Sequence, residues 1–235
     1  MHLFYTPDIA PSHPQYFLSE EESKHAIRVL RLEAGAEVQL IDGCGGLYTA
    51  QIKDAHPKRT ILQITNVVTG YNKRNHYLHI AIAPTKNLDR LEWFLEKATE
   101  IGIDEISLII CQRSERKEAK TERLTKIITA AIKQSLKAYH PVLNEPTALN
   151  KFLAQPFDGQ KYIAHCEPGE KTSLSAHLQK QGRYLILIGP EGDFSPAEID
   201  AALHNGYKAI TLGESRLRTE TAGLEACFEV NFLNR

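Results

Sequence analysis

The residues that could do chemistry gather first at "LILIGPEGDFSP", residues 185–196, where four apolar side chains run straight into two glycines, a proline and two carboxylates. Leu185, Ile186, Leu187 and Ile188, bounded by Tyr184 and Gly189, read as a strand buried on both faces, as in a parallel sheet covered by helices. Ser195, Pro196 and Glu198 have the spacing of a helix start that satisfies its own orphan amides. The turn between them therefore sits at the carboxyl end of a strand, where open α/β sheets bind ligands. Gly189 and Gly192 either let the chain turn tightly through an unusual backbone angle or let it approach a ligand closely, and the loop alone leaves both open.

Other strand ends enlarge the picture. Lys86 and Asn87, Arg113 and Ser114, Glu167 with Pro168 and Gly169, and "GESRLRTETAG" at 213–223 each follow a strand-like run. In a parallel sheet all of these loops emerge on one edge, and they would offer free backbone amides and carbonyls beside the cations Lys86, Arg113, Arg216 and Arg218. Such an edge suits a ligand with a polar heterocycle and an anionic partner. Neither GxGxxG nor GxxxxGK[ST] occurs, so a dinucleotide or triphosphate loop is disfavoured. Ser114, Ser195 and Ser215 lack the GxSxG elbow, and the ten histidines include no HExxH. Cys44, Cys111, Cys166 and Cys227 stand far apart without ligand spacing, which predicts four free thiols, mostly buried, and no metal.

The elements that must position these loops change character near residue 70. Before it, "EVQLID", "LYTAQIKDA" and "TILQITNVV" are short strands separated by "GCGG" and "HPKR", which predicts a hairpin-rich antiparallel barrel or sheet. Ser19 with Glu22 forms a capping-box pattern ahead of the helical "SKHAIRVLRL". After "GYNKRN", strands alternate with longer helices: "YLHIAIA", "EISLIIC", "KYIAHC", "YLILIG" and "YKAITLG" with "NLDRLEWFLEKATEIG" and "TERLTKIITAAIKQSLKAY". The expected division is a first domain at 1–70, a linker at 71–75 and an α/β parallel-sheet domain at 76–235.

With 42% hydrophobic and 24% charged residues, the chain has the composition of a globular protein. Its start has neither a basic n-region nor an apolar h-region, and no run reaches the ~18 apolar residues of a membrane span, so a cytoplasmic location is expected. The net charge of −1 argues against indiscriminate nucleic-acid binding, yet residues 112–140 hold eight basic residues against three acidic ones. That stretch is either a solvated helix face or a path for an anionic polymer.

Taken together, "LIGPEGDFS", "LGESRLRTETAG", "HAIRVLRLEAG", "KNLDRLEWFLEKATEIGI", "QRSE" and "KQSLKAYHP" resemble the signatures of the RsmE family, ribosomal-RNA uridine-N3 methyltransferases of the SPOUT superfamily. The resemblance spans the whole chain. It implies an N-terminal PUA-like β-barrel that helps hold RNA and a methyltransferase domain with a deep C-terminal trefoil knot, which periodicity and spacing do not reveal. It also implies a homodimer that uses S-adenosyl-L-methionine, without metal, to methylate 16S ribosomal RNA, free or within the small subunit.

Under that resemblance Cys166, Glu167, Gly189, Pro190, Glu191, Gly192, Leu212, Gly213, Leu217 and Thr219 are expected at the cofactor pocket. Glu191 either contacts the cofactor or fixes its own loop. Thr219, Glu220 and Thr221 are expected to cap the last helix. Arg218, with Arg113 second, is the candidate for stabilising charge on a uracil carbonyl, and either could instead bind phosphate. The acceptor of the N3 proton is Glu220 or solvent. Lys24, Arg28 and Arg31 on the first helix, with Lys86, Arg116, Lys120 and Lys137, are the candidate RNA contacts. Two residues depart from the family pattern: Asp193 replaces the second glycine of GPEGG, and Lys137 replaces an arginine. A related enzyme acting on a ribose 2′-hydroxyl or on transfer RNA, and an RNA-binding protein without catalysis, are the competing expectations.

Overall fold

The computed structural model, which describes residues 2–235, divides into two compact units: residues 1–73 with 132–140, and residues 74–131 with 141–235. Residues 132–140 depart from the linear division expected at 70 to 76, for a reason found at the end of a helix.

In the first unit, β3 (Glu37–Ile41), β4 (Leu47–Asp54) and β5 (Ile61–Val68) form an antiparallel meander. Two three-residue strands absent from the sequence-based expectation flank it, β1 (Leu3–Tyr5) parallel to β3 and β2 (Gln15–Phe17) antiparallel to β5. The order β1-β3-β4-β5-β2 is a curled half-barrel whose two edge strands do not pair. Alternation along β4 sends Tyr48, Ala50 and Ile52 inward onto Phe4, Val38, Leu40 and Leu62. Helix α1 (Glu20–Lys24) continues as a π-helical turn over His25–Val29 and closes this core with Ala26. Only half of the expected capping box forms: Ser19 Oγ accepts from the Glu22 amide at 3.2 Å, while the Glu22 carboxylate pairs with Lys133 at 2.8 Å.

Helix α3 (Thr121–Gln134) stops five residues before the expected end at Tyr139. Leu136 takes φ +55 and the Lys137 amide bonds back to Ile132 O at 3.0 Å, a Schellman stop with leucine where glycine is usual. From there the chain runs beside "GCGG". The Gly45 amide donates to Ala138 O and the His140 amide to Gly43 O, both at 2.9 Å, and a Cβ on Gly45 would lie 2.4 Å from the Tyr139 ring. Gly45 is therefore required by close approach as well as by its φ of +102. Ile132 and Ala138 complete a small core with Ile41, which is why these residues belong to the first unit.

The second unit is built on seven strands: β6 (Tyr77–Ile82), β7 (Glu105–Ile110), β8 (Val142–Ala148), β9 (Gln160–Ala164), β10 (Thr172–Ser173), β11 (Arg183–Ile188) and β12 (Lys208–Thr211). They form one wholly parallel sheet in the order β10-β12-β9-β11-β6-β7-β8. Side chains of β11 alternate between two cores. Ile186 and Ile188 join α2 (Leu88–Ile101) and α7 (Thr219–Leu233), and Leu185 and Leu187 join α4 (Leu149–Leu153) and α6 (Pro196–His204). The short α5 (Leu174–His177) packs on α7. Gly223 lets α7 close on α2, since a Cβ there would lie 2.7 Å from the Phe94 ring. Among the described residues no helix is long and apolar enough to cross a membrane.

Candidate active site

Because every strand of this sheet runs the same way, the loops after β6, β7, β9, β11 and β12 leave it on one edge. They are hydrogen-bonded to one another through the turn that follows β11. The Asp193 amide donates to Pro190 O at 2.9 Å, closing the turn, and Asp193 stands at φ +63, a conformation that aspartate tolerates better than most side chains. Four other loops fasten the turn. Glu191 Oε1 accepts from the Lys86 amide at 2.9 Å, and Arg113 Nη1 donates to Gly192 O at 2.9 Å and to Phe194 O at 3.2 Å. Asp193 Oδ2 accepts from the Cys166 amide at 2.7 Å, and Thr219 Oγ1 donates to Gly189 O at 3.0 Å. Behind the turn, Ser195 and Glu198 form the expected full capping box, and Glu198 Oε1 also takes the Gln112 amide at 2.7 Å.

These bonds correct several expectations. Glycine at 192 is not required by backbone angle, for neither Gly189 nor Gly192 has a positive φ. The positive φ belongs to Asp193, and what a Cβ on Gly192 would meet is Arg113 Cβ at 3.2 Å. Glu191 fixes its loop. Arg218 occupies the N-cap position of α7 without a side-chain cap bond, and Thr219 begins the helix with its hydroxyl turned to Gly189. Glu220 is consequently buried in the first turn, 3.7 Å from Arg90 Nε, and is not among the residues that line the two cavities of this edge.

A cavity of about 350 Å³ opens between these loops, within the range of small-ligand sites. Of the residues expected around a cofactor, Cys166, Gly189, Pro190, Glu191, Leu212, Gly213, Leu217 and Thr219 line it, and so does Arg218. Glu167 and Gly192 line an adjoining cavity of about 510 Å³ with Arg113. Ile188, Ile210 and Ala222 add apolar lining that sequence reasoning missed; the first two are the inward ends of strands, and alternation along each strand could have marked them. His165, Asp193 and Arg216 line both cavities. The His165 imidazole is held below its ordinary pKa by burial and by the Lys171 ammonium, and its Nδ1 is buried without a partner.

The cations divide by what they already hold. Arg113 is a brace of the turn and lies 3.7 Å from Glu167. Arg116 donates to Thr85 O and Lys86 O, and Lys86 pairs with Glu115 at 2.8 Å, which raises its pKa. By contrast, the Arg218 guanidinium is exposed at the cavity and bonds to nothing among the described residues. Lys120 is exposed in the second unit. Lys24, Arg28, Arg31 and Lys137 lie in the first unit, Lys24 paired with Glu20 at 2.8 Å and Arg31 at φ +55 ending the π-turn. None of the four cysteines is joined in a disulfide among the described residues, and only Cys111 and Cys227 are buried; Cys44 and Cys166 are exposed. Among the described residues no three His, Cys, Asp or Glu side chains are grouped to hold a metal ion.

Comparison with known proteins matches both parts of the chain. Residues 72–230 match the RNA methyltransferase domain family and residues 18–65 the RNA methyltransferase PUA domain family. Ribosomal RNA small subunit methyltransferase E of Rickettsia conorii is 28% identical over 92% of this chain and 89% of its own. A probable rRNA-methyltransferase from Porphyromonas gingivalis, known from a crystal structure, is 40% identical, covers 100% of this chain and 98% of its own, and superposes with a TM-score of 0.92. Ribosomal RNA small subunit methyltransferase E of Neisseria gonorrhoeae, solved bound to S-adenosyl methionine, is 26% identical with a TM-score of 0.89, covering 100% of this chain and 98% of its own. With both modules matched in order and the strand-end loops built as a ligand cavity, the chain belongs to the RNA methyltransferase family of ribosomal RNA small subunit methyltransferase E.

Proposed function

We propose that the protein transfers the methyl group of S-adenosyl-L-methionine to N3 of one uridine in 16S ribosomal RNA, as a homodimer in the cytoplasm. The observation that carries this reading is the 350 Å³ cavity with an unpartnered arginine, Arg218, on its lining. Its residues fit the cofactor: Ile188, Ile210, Leu212 and Leu217 give apolar surface for an adenine, while loop backbone remains for polar edges. When bound, S-adenosylmethionine supplies a methyl group activated on a sulfonium sulfur.

The chain's own contribution is alignment and charge. Fastening the turn from four sides holds the cavity walls in one arrangement, which is what an in-line displacement needs. Uracil N3 must lose its proton before or during attack, and negative charge then spreads onto the ring carbonyls. The Arg218 guanidinium stabilises that charge, as an oxyanion donor does. With Glu220 buried behind the wall, the proton passes to solvent. The same reading has the segment after β12 threaded as a trefoil knot.

Dimerisation is supported by α7, which is apolar on its outer side as well as its inner one. Phe228 and Phe232 are 45% and 55% exposed and stack at 5.9 Å, and Glu229 beside them is pushed up in pKa by burial and by Glu225. The test is nucleoside mass spectrometry of 16S RNA incubated with the protein and S-adenosylmethionine. Appearance of 3-methyluridine is expected; a ribose-methylated nucleoside in its place would transfer the protein to another activity of the superfamily.

A further inference from the structure

We propose that Asp193 is a positioning residue, a latch that joins the turn after β11 to the loop after β9 and thereby sets the affinity of the cavity for its cofactor. This rests on the reading that the cavity takes S-adenosylmethionine. The position is the one at which the family pattern repeats glycine, and the φ of +63 explains why glycine suits it. Aspartate keeps that conformation and adds two acceptors. Oδ1 takes the adjacent Phe194 amide at 2.8 Å, and Oδ2 takes the amide of Cys166, 27 residues away in sequence, at 2.7 Å. The first bond steadies the turn alone. The second crosses between two loops that both supply the lining, Cys166 from one and Gly189, Pro190 and Glu191 from the other.

The other side-chain link between these loops among the described residues is longer and indirect, Glu167 lying 3.7 Å from the Arg113 that braces the turn. Lys171 holds the β9 loop only to itself, through His165 O at 3.0 Å and Glu167 O at 2.7 Å. Loops already joined need less ordering when a ligand arrives, so the bond contributes to affinity by holding the two loops together. It also consumes the Cys166 amide, which is therefore not a donor to the cofactor.

Asp193→Gly is the informative variant because it retains the backbone conformation and removes only the latch. Asp193→Asn keeps one acceptor oxygen but turns an amide N–H₂ toward the other N–H. Binding of S-adenosylmethionine and of S-adenosylhomocysteine is measured by calorimetry on the full chain, with hydrogen exchange read at the Cys166 amide and thermal unfolding as a check of fold. Asp193→Gly is expected to weaken both ligands by the same factor, on the order of tenfold, with faster exchange at Cys166; Asp193→Asn should fall between it and the natural chain. Unchanged affinity, or unchanged exchange at Cys166, overturns the latch. A loss confined to S-adenosylmethionine overturns it too, since that pattern means attraction between the carboxylate and the sulfonium. If the unaltered chain binds neither compound, the cofactor reading falls and the affinity claim with it, while the exchange difference at Cys166 still reports whether the bond exists.

Discussion

Arg218 and Arg113 carry the same guanidinium and both follow strands of one sheet, yet one is unpartnered at the cavity and the other is spent on Gly192 O and Phe194 O. Sequence alone ranked them for one role; hydrogen bonding separates them. Arg218→Ala is expected to lower kcat by about 100-fold or more, in line with loss of an oxyanion donor, while changing the calorimetric affinity for S-adenosylmethionine little. Equal losses in both would make Arg218 a cofactor ligand. The glycine-bearing turn was legible as a ligand loop from its residue types. Which residue needed the left-handed backbone was not, because Asp193 can adopt it and gives no glycine to mark it. Glu220 is buried for a periodic reason that sequence did not show: with α7 starting at Thr219, positions 219, 220, 223, 226, 227, 230 and 231 form its buried stripe, and the carboxylate lies on it.

Elements were legible where their apolar content was strong. The runs at β6, β7 and β11 are apolar on both faces and were assigned within a residue of their ends. β8, "VLNEPTA", was missed because it is an edge strand, polar and carrying Pro146, which only an edge tolerates. The end of α3 was missed because Leu136 supplies the stop usually signalled by glycine. The amino ends of β6, β7 and β8 also hold a buried polar cluster that sequence did not suggest. His79 Nε2 meets Ser107 Oγ at 2.8 Å, Asn144 bonds Ser107 and Glu105, and Tyr77 donates to Glu105. Burial lowers the His79 pKa to about 4, although Glu105 pulls it upward, so at neutral pH the ring is uncharged and its 3.7 Å approach to Glu105 is not an ion pair. The unfolded chain binds a proton at His79 near pH 6.5 while the folded one resists to about 4, so stability falls as pH drops through that window, by up to about 1.4 kcal/mol per unit. Melting temperature measured from pH 7 to 4.5 should decline less in His79→Gln than in the natural chain; parallel declines would remove His79 as the cause.

For the molecule as a whole, the two matched modules occupy different parts of the chain, and the charge of −1 conceals the basic excess at residues 112–140. Arg28 and Arg31 lie exposed in the PUA-matched region. If they contact phosphates, Arg28→Ala with Arg31→Ala should weaken binding to 16S RNA and flatten log affinity against log salt by roughly one unit per lost contact, with cofactor affinity unchanged. A slope equal to that of the natural chain leaves these residues a structural role only, in and after the π-helical turn. The central claim, methyl transfer to a uracil nitrogen, is tested most directly by primer extension along 16S RNA from cells lacking the protein, before and after treatment with the purified protein and S-adenosylmethionine. Methylation at N3 blocks Watson–Crick pairing, so one new stop next to a uridine is expected, dependent on the cofactor and lost with Arg218→Ala. Read-through identical in treated and untreated RNA would contradict it.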